Sequence, residues 1–407
     1  MSVETQELRS YPQVRGGCPL HPPKEYAGWR KEDDGISRVG LWDGRTAWVI
    51  TGLEHAQVLL KDPRLCADRM HPDYPSEGPA HAVKGPTRRA FRAMDGEQHS
   101  YYRRLLARDF ALRTINAMRP RMRTIIDDLI TAMRQKGAPA DLFTDFALPL
   151  PLKVTCDLLG VPVEDQSTFD RWINEMLASN GDPQIAERAG QNLSRYLLDL
   201  LDRKNTVPQD DLMSRLASGP LAAGEISRDD ALVTVMILLL GGYESTASSI
   251  ASGLLALMQN PEQLARVRAG LEPDEVARMV EELLRFTSVT DVGANRFALE
   301  RIEIGGKVIE AGEGIIFHFP SINRDESVYP DPDTLDIDRR TNPHQAFGFG
   351  PHQCVGQNLA RAEIQEAIPA ILSALPNLRL AVPEDELRYR EHMLVVGVAS
   401  LPVTWDE

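Results

Sequence analysis

The sequence predicts a mainly α protein with small β-sheets, on three observations. Apolar residues recur at helical spacing through most of the stretch from about Asp95 to Arg285. β-Branched residues in alternation form only short runs, of which Arg45 to Thr51 is the clearest. The longest helix candidate, Ser227 to Gln259, opens on the capping pattern Ser227-x-x-Asp230 and closes at Asn260-Pro261. At ~1.5 Å per residue it spans roughly 50 Å, enough to cross a whole domain. No Gly/Ser/Pro linker, composition shift or internal repeat divides the 407 residues, so 1–407 reads as a single domain.

Taken in order, Pro22 to Lys31 predicts a short helix, Arg45 to Thr51 a strand of a small sheet near the N-terminus, and 53–61 a helix. Cys66 to Pro86, rich in Pro, Gly, Ser and His, predicts an irregular loop. Helices follow from Asp95, over Pro120 to Gln135 and Pro151 to Leu159, each opened by its proline, and over Ser167 to Ala178 and Gln184 to Arg203. Beyond the long helix, Glu282 to Arg285 is helical and Asp291 to Ala298 extended. Short strands run through Phe317, a Pro/Asp-rich meander reaches Thr341, and Met393 to Thr404 predicts a last hairpin.

A net charge of −14 and a pI near 5.2 argue against nucleic acid as a partner. Cys18, Cys66, Cys156 and Cys354 are scattered without a disulfide framework, as in a reducing compartment. Met1 to Gly17 is polar, and the longest apolar run, Val235 to Leu240, is far below membrane-spanning length. No membrane is expected, and the cytoplasm is.

Phe347 to Arg361 reads Phe-Gly-Phe-Gly-Pro-His-Gln-Cys-Val-Gly-Gln-Asn-Leu-Ala-Arg. Gly348 and Gly350 permit a tight loop, and from Val355 onward Leu359, Ile364, Ile368, Ile371 and Leu372 keep helical spacing. Cys354 therefore stands at a helix start, where free amides and the positive dipole end favour a thiolate, the form a soft metal requires. Gly356, lacking a side chain, leaves room for a flat ligand. A cysteine in isolation is most often a small buried hydrophobe. Zinc would need clustered ligand pairs, and His344 and His352 lack that spacing. One cysteine with glycine clearance suits a planar macrocycle whose iron takes one protein ligand.

The pattern Phe-Gly-x-Gly-x-His-x-Cys-x-Gly-x-x-Leu-Ala-Arg fixes nine positions within fifteen. It closely resembles the haem-binding signature of the cytochrome P450 family, the cysteine-thiolate class. The resemblance implies haem b with Cys354 as axial thiolate and Phe347, Gly348, His352 and Gly356 around it, in a P450 fold with a long central distal helix and a proximal cysteine-ligand loop.

Three further motifs, in matching order, extend the resemblance over nearly the whole chain. His99 and Arg103 lie four apart and share a helix face, two donors aimed at one anion. The family sets such a pair against a haem propionate, and Arg296 resembles its second propionate-binding arginine. Gly241-Gly242-Tyr243-Glu244-Ser245-Thr246 sits inside the long helix, where two glycines cost ~1 kcal/mol each against alanine. Either another helix packs closely there, or a widened turn admits a small ligand beside Glu244, Ser245 and Thr246, groups that can pass protons. This stretch resembles the family's distal-helix motif, with Ser245 where threonine is more usual and Thr246 directly after it. Glu282-x-x-Arg285 on a surface would be worth a few tenths of a kcal/mol. In the family such a pair is buried with a later arginine, here Arg339, and keeps the cysteine loop rigid.

The implied activity is that of a haem-thiolate monooxygenase, since a thiolate pushes electron density to iron and favours O–O cleavage. One oxygen atom of O2 would enter a small lipophilic substrate by hydroxylation or epoxidation, with Glu244 and Ser245 or Thr246 relaying protons. A nitric-oxide-reductase-like enzyme shares the fold and is the alternative; a non-catalytic haem sensor would need no proton relay. Pocket walls are expected from 66–94, 165–190, Leu238 to Ser245, Val289 to Asn295 and Met393 to Val396, mostly apolar. Arginine outnumbers lysine 37 to 8, a bias of GC-rich bacterial genomes that points to secondary metabolism or xenobiotic oxidation.

Nothing in the chain resembles a flavin or iron–sulfur module, so electrons are expected from a ferredoxin and ferredoxin reductase. Lys84 to Arg123 holds eleven basic residues (Lys84, Arg88, Arg89, Arg92, Arg103, Arg104, Arg108, Arg113, Arg119, Arg121, Arg123) against three acidic ones. Arg104 and Arg108, four apart, would share an outer helix face and dock an acidic ferredoxin, unless the face is simply solvated and laced with ion pairs.

Overall fold

The computed structural model describes residues 8–16, 18, 20–79, 90–177, 183–291, 294–340, 343–390 and 395–406. Lys84, Arg88, Arg89 and Met393 lie outside them. The chain forms two compact units, each assembled from separate stretches: Met1–Ser100 with Ala251–Cys354 and Val382–Leu401, and Tyr101–Ile250 with Val355–Ala381 and Pro402–Glu407.

The first unit is built on a six-stranded sheet in the order Arg9–Ser10, Ile36–Gly40, Thr46–Ile50, Gly314–Phe317, Arg296–Ala298, Leu65–Cys66. The expected N-terminal sheet thus recruits two strands from the second half of the chain. Thr46–Ile50 lies antiparallel to Ile36–Gly40 and parallel to Gly314–Phe317, with Ala47 opposite Gly314 and Ile50 opposite Phe317. Because side chains alternate along a strand, Trp48 and Ile50 enter one apolar cluster with Leu53, Leu59, Ile315 and Phe317, while Ala47 and Val49 enter another with Tyr26, Trp29 and Ile316. Both faces are covered, which accounts for the unbroken apolar run of that strand. The helix Pro273–Thr287 opens on a capping box between Glu272 and Glu275.

The second unit is mainly helical: Leu112–Lys136, Pro149–Leu159, Gln166–Leu177, Pro183–Thr206 and Gln357–Ala374, with a small sheet of Arg379–Leu380, Pro402–Thr404 and Ala140–Asp141. Leu112–Lys136 buries Ile115, Met122, Ile126 and Met133 and packs against Gln357–Ala374. The helix Arg228–Met258 has 31 residues, up to Ile250 in this unit and from Ala251 in the first, and its capping box forms as expected: Asp230 N donates to Ser227 Oγ at 3.0 Å and Ser227 N to the Asp230 carboxylate at 3.2 Å. By length and composition this helix is apolar enough to cross a membrane, more so than its longest unbroken apolar run implied. Val235, Leu239, Ile250, Ala251, Leu254 and Leu255 are buried inside the protein, the pattern of a core helix.

Three expectations are corrected. The helix expected to open at Pro120 begins at Leu112 and carries Pro120 inside it, because the apolar spacing that starts at Ile115 outweighs the one hydrogen bond the proline forgoes. Of the strand expected over Asp291 to Ala298, only Arg296–Ala298 forms among the described residues. The expected terminal hairpin is two separate pairings, Gly397–Val398 with Tyr389–Arg390 and Pro402–Thr404 with Arg379–Leu380.

Candidate active site

The cysteine loop is folded onto itself. Gly348 N donates to the Gln345 carbonyl at 2.9 Å, Gln353 N to Gly350 at 3.0 Å and Cys354 N to Phe347 at 2.9 Å. Gly350 has φ +73°, and a Cβ there would come within 2.5 Å of the Leu60 carbonyl oxygen, so only glycine fits. Cys354 is exposed and forms no disulfide, which removes its reading as a buried hydrophobe. Gly356, two residues on, is the N-cap of Gln357–Ala374.

Glu282, Arg285 and Arg339 come together behind this loop, in the first unit. Arg285 is fully buried and donates through Nε and Nη2 to the two Glu282 oxygens at 2.7 and 2.8 Å, and Arg339 Nε reaches the same carboxylate at 3.1 Å. The remaining Arg285 donors tie down carbonyls of Asn323 (3.0 Å), Pro332 (2.8 Å) and Thr334 (3.2 Å). Asn323 in turn accepts the amide of Gln345 at 2.7 Å, where the cysteine loop begins. The buried pair is thereby satisfied by several hydrogen bonds, the condition under which burial of charge is tolerated.

His99 is buried, and its ring stacks on that of His352 with centroids 4.0 Å apart. His352 Nε2 lies 3.0 Å from Asp95 Oδ1, and Asp95 Oδ2 accepts the Ala67 amide at 2.7 Å. Burial pushes the Asp95 carboxyl up, but the His352 and Ala67 hydrogen bonds bring it down to about 2. Asp95 marked only a helix start in the sequence; its role as the acceptor for His352 depends on a contact 257 residues distant and had no local signal. Arg296 is buried, with Nη1 donating to the Asn295 carbonyl at 2.7 Å. Arg103, half-buried, follows His99 on Gly96–Ala107 and belongs to the second unit, as do Glu244, Ser245 and Thr246.

The central helix is regular through Gly241 to Thr246, so the widened turn does not form. Ser245 Oγ donates to the Gly241 carbonyl at 2.8 Å and Ser249 Oγ to the Ser245 carbonyl at 2.9 Å, bonds within a closed α-turn. Close packing does not explain the glycines either. A Cβ on Gly241 would meet nothing within 4 Å, and one on Gly242 only Thr155 Oγ1 at an ordinary 3.5 Å. Ser245 and Glu244 are half-buried, whereas Thr246 is 4% exposed.

The basic stretch is less free than its composition suggests. Gly96–Ala107 ends before Arg108, so Arg104 and Arg108 share no helical face, and Arg108 pairs with Asp210 at 3.6 Å. Arg119 and Arg123 pair with Glu366 and Arg121 with Asp157, acids that the sequence count could not include. Arg104 and Arg113 are exposed and form no ion pair among the described residues.

In the first unit, an accessible cysteine on a self-closed loop and a buried arginine with no ion pair among the described residues fit a haem; in the second, Gly241 has open space beside it. The family model described as Cytochrome P450 matches residues 202–402. The chain is 44% identical over 398 residues to cytochrome P450-SOY of Streptomyces griseus, covering 97% of this chain and 95% of that protein. It is 42% identical to pentalenic acid synthase of Streptomyces avermitilis over 97% of each. The crystal structure of GfsF matches with a TM-score of 0.93 at 40% identity, over 98% of this chain and all of GfsF.

Proposed function

Since the chain belongs to the cytochrome P450 family and is a haem-dependent monooxygenase, we propose that Cys354 is the thiolate ligand of haem b and that the two glycine-containing motifs serve that site. The observation that carries the assignment is the exposed Cys354 thiol on a loop closed by its own backbone and anchored through Asn323 to the buried Glu282–Arg285 pair. A bound haem would supply the reductive activation of O2 and the transfer of one oxygen atom to a C–H or C=C group.

The chain's own residues then have separable tasks. Glu282, Arg285 and Arg339 fix the loop. Arg296, His99 and Arg103 would hold haem carboxylates, with Asp95 setting the ring of His352; Gly348 and Gly356, lacking side chains, would leave room for a flat ligand, and Phe347 would supply an apolar ring beside it. The Ser245 hydrogen points at the Gly241 carbonyl, so its lone pairs are left to accept a hydrogen bond from a ligand, and Glu244 on the same helix supplies protons. Thr246, buried, is the weaker candidate for that relay. The substrate is a small lipophilic molecule, in keeping with pentalenic acid synthase among the relatives, and the relatives favour a monooxygenase over a nitric-oxide-reductase-like enzyme. Electrons come from an acidic ferredoxin and its reductase in the cytoplasm. We treat 1–407 as one haem domain, because the two units interleave along the chain. Freshly reduced protein under carbon monoxide should show the strongly red-shifted Soret band of thiolate ligation; a myoglobin-like band would overturn the Cys354 assignment.

A further inference from the structure

Arg69 lies in the segment expected only to wall the substrate pocket, yet its surroundings are those of an anion ligand. Leu65–Cys66 pairs antiparallel with Arg296–Ala298, Cys66 opposite Phe297. Beyond that pairing the chain is pinned twice: the Ala67 amide donates to Asp95 at 2.7 Å, and the His71 ring stacks on Phe297 with centroids 4.3 Å apart and planes 12° apart. Arg69 sits between these two anchors, beside the strand that carries Arg296. Its guanidinium carbon lies 5.5 Å from the centre of the Tyr74 ring, and its Nε is buried with no hydrogen-bond partner.

Arg296 is 7% exposed, and its hydrogen bond to the Asn295 carbonyl leaves most of its donors unused. Neither arginine forms an ion pair among the described residues. The neighbouring carboxylate, Asp95, is committed on one oxygen to Ala67 and on the other to His352. Burial pulls the Arg296 pKa down, opposed by Tyr74 and Asp95 and joined by a smaller repulsion from Arg69. Two cations that repel, one of them with an orphaned buried N–H of its own, are costly unless an anion joins them, and the planar guanidinium fork matches a carboxylate bidentately.

We propose that Arg69 acts with Arg296 to bind a carboxylate, that of the haem or of an acidic small molecule beside it. The inference rests on the haem reading in its first arm only. In that arm, haem transfer from holoprotein to excess apomyoglobin is timed for wild type, Arg69→Gln and Arg69→Lys. Arg69→Gln should lose haem about tenfold faster, the worth of one charge-assisted hydrogen bond, with Arg69→Lys in between. Reconstitution with haem dimethyl ester should erase the difference. In the second arm, calorimetric titration compares decanoate with decanol. If haem loss is unchanged but Arg69→Gln weakens decanoate alone by about tenfold, the carboxylate belongs to an acidic ligand. Unchanged haem loss together with unchanged decanoate binding in a folded Arg69→Gln protein overturns the proposal. A wild type that takes up no haem overturns the parent reading instead, and the decanoate arm still decides the role of Arg69.

Discussion

Ser245 and Thr246 differ by one methyl group and one position, and the helix separates them. A step of about 100° turns Thr246 into the core while Ser245 stays half-buried over Gly241. Ser245→Ala should therefore keep haem content and substrate-induced spin shift while diverting reducing equivalents to hydrogen peroxide, measured as peroxide formed per NAD(P)H consumed. Thr246→Ala should leave coupling close to wild type; the reverse result would transfer the role. The sequence offered both hydroxyls and could not choose, since the choice depends on which side of the helix the rest of the chain covers. Cys354, Gly350 and His99 were legible because their spacing is local. Asp95 and Arg69 were not, because what distinguishes them is a partner, or the lack of one, far away in the chain.

Elements show the same division between local and distant causes. The Ser227 capping box and the long helix were legible from a pattern four residues long. Pro120 misled because proline marks a helix start only where the preceding turn has no apolar stripe of its own, and Ile115 begins one here. The knot at the end of Pro273–Thr287 makes a sharp prediction. Glu282→Ala leaves Arg285 charged and buried without its acid, a loss of about 3–5 kcal/mol, so holoprotein yield and melting temperature should both fall steeply. Gln357–Ala374 carries a different liability in Glu363, which is 1% exposed, has an oxygen without a partner, and is pushed up by burial to about 8. Its folded pKa exceeds the unfolded value of about 4.3, so its contribution is fully present below that value and is lost as pH rises toward 8. Glu363→Gln should match wild type in melting temperature at about pH 4 and below and exceed it by a few degrees above about pH 8. A gap independent of pH would place the titration elsewhere.

At the scale of the whole molecule, the sequence supplied the fold class, the helix order and the family, while the two interleaved units and the long-range pairing of the sheet were out of its reach. Charge counting along the chain also failed at this scale, since folding brings Glu366, Asp157 and Asp210 to arginines that looked unopposed. Arg104→Glu should slow reduction by an acidic ferredoxin and flatten its salt dependence, with haem content intact. Arg108→Glu should do less, because Asp210 already offsets that charge; equal effects would restore the pair as one surface. The glycines of the central helix carry the longest consequence. Alanine is sterically welcome at both Gly241 and Gly242 and would add helical stability, about 1 kcal/mol at each. A laboratory lineage selected only for survival of heat should drift to alanine there, and one selected for turnover should keep the vacancy, so the two histories would part at a single turn of helix.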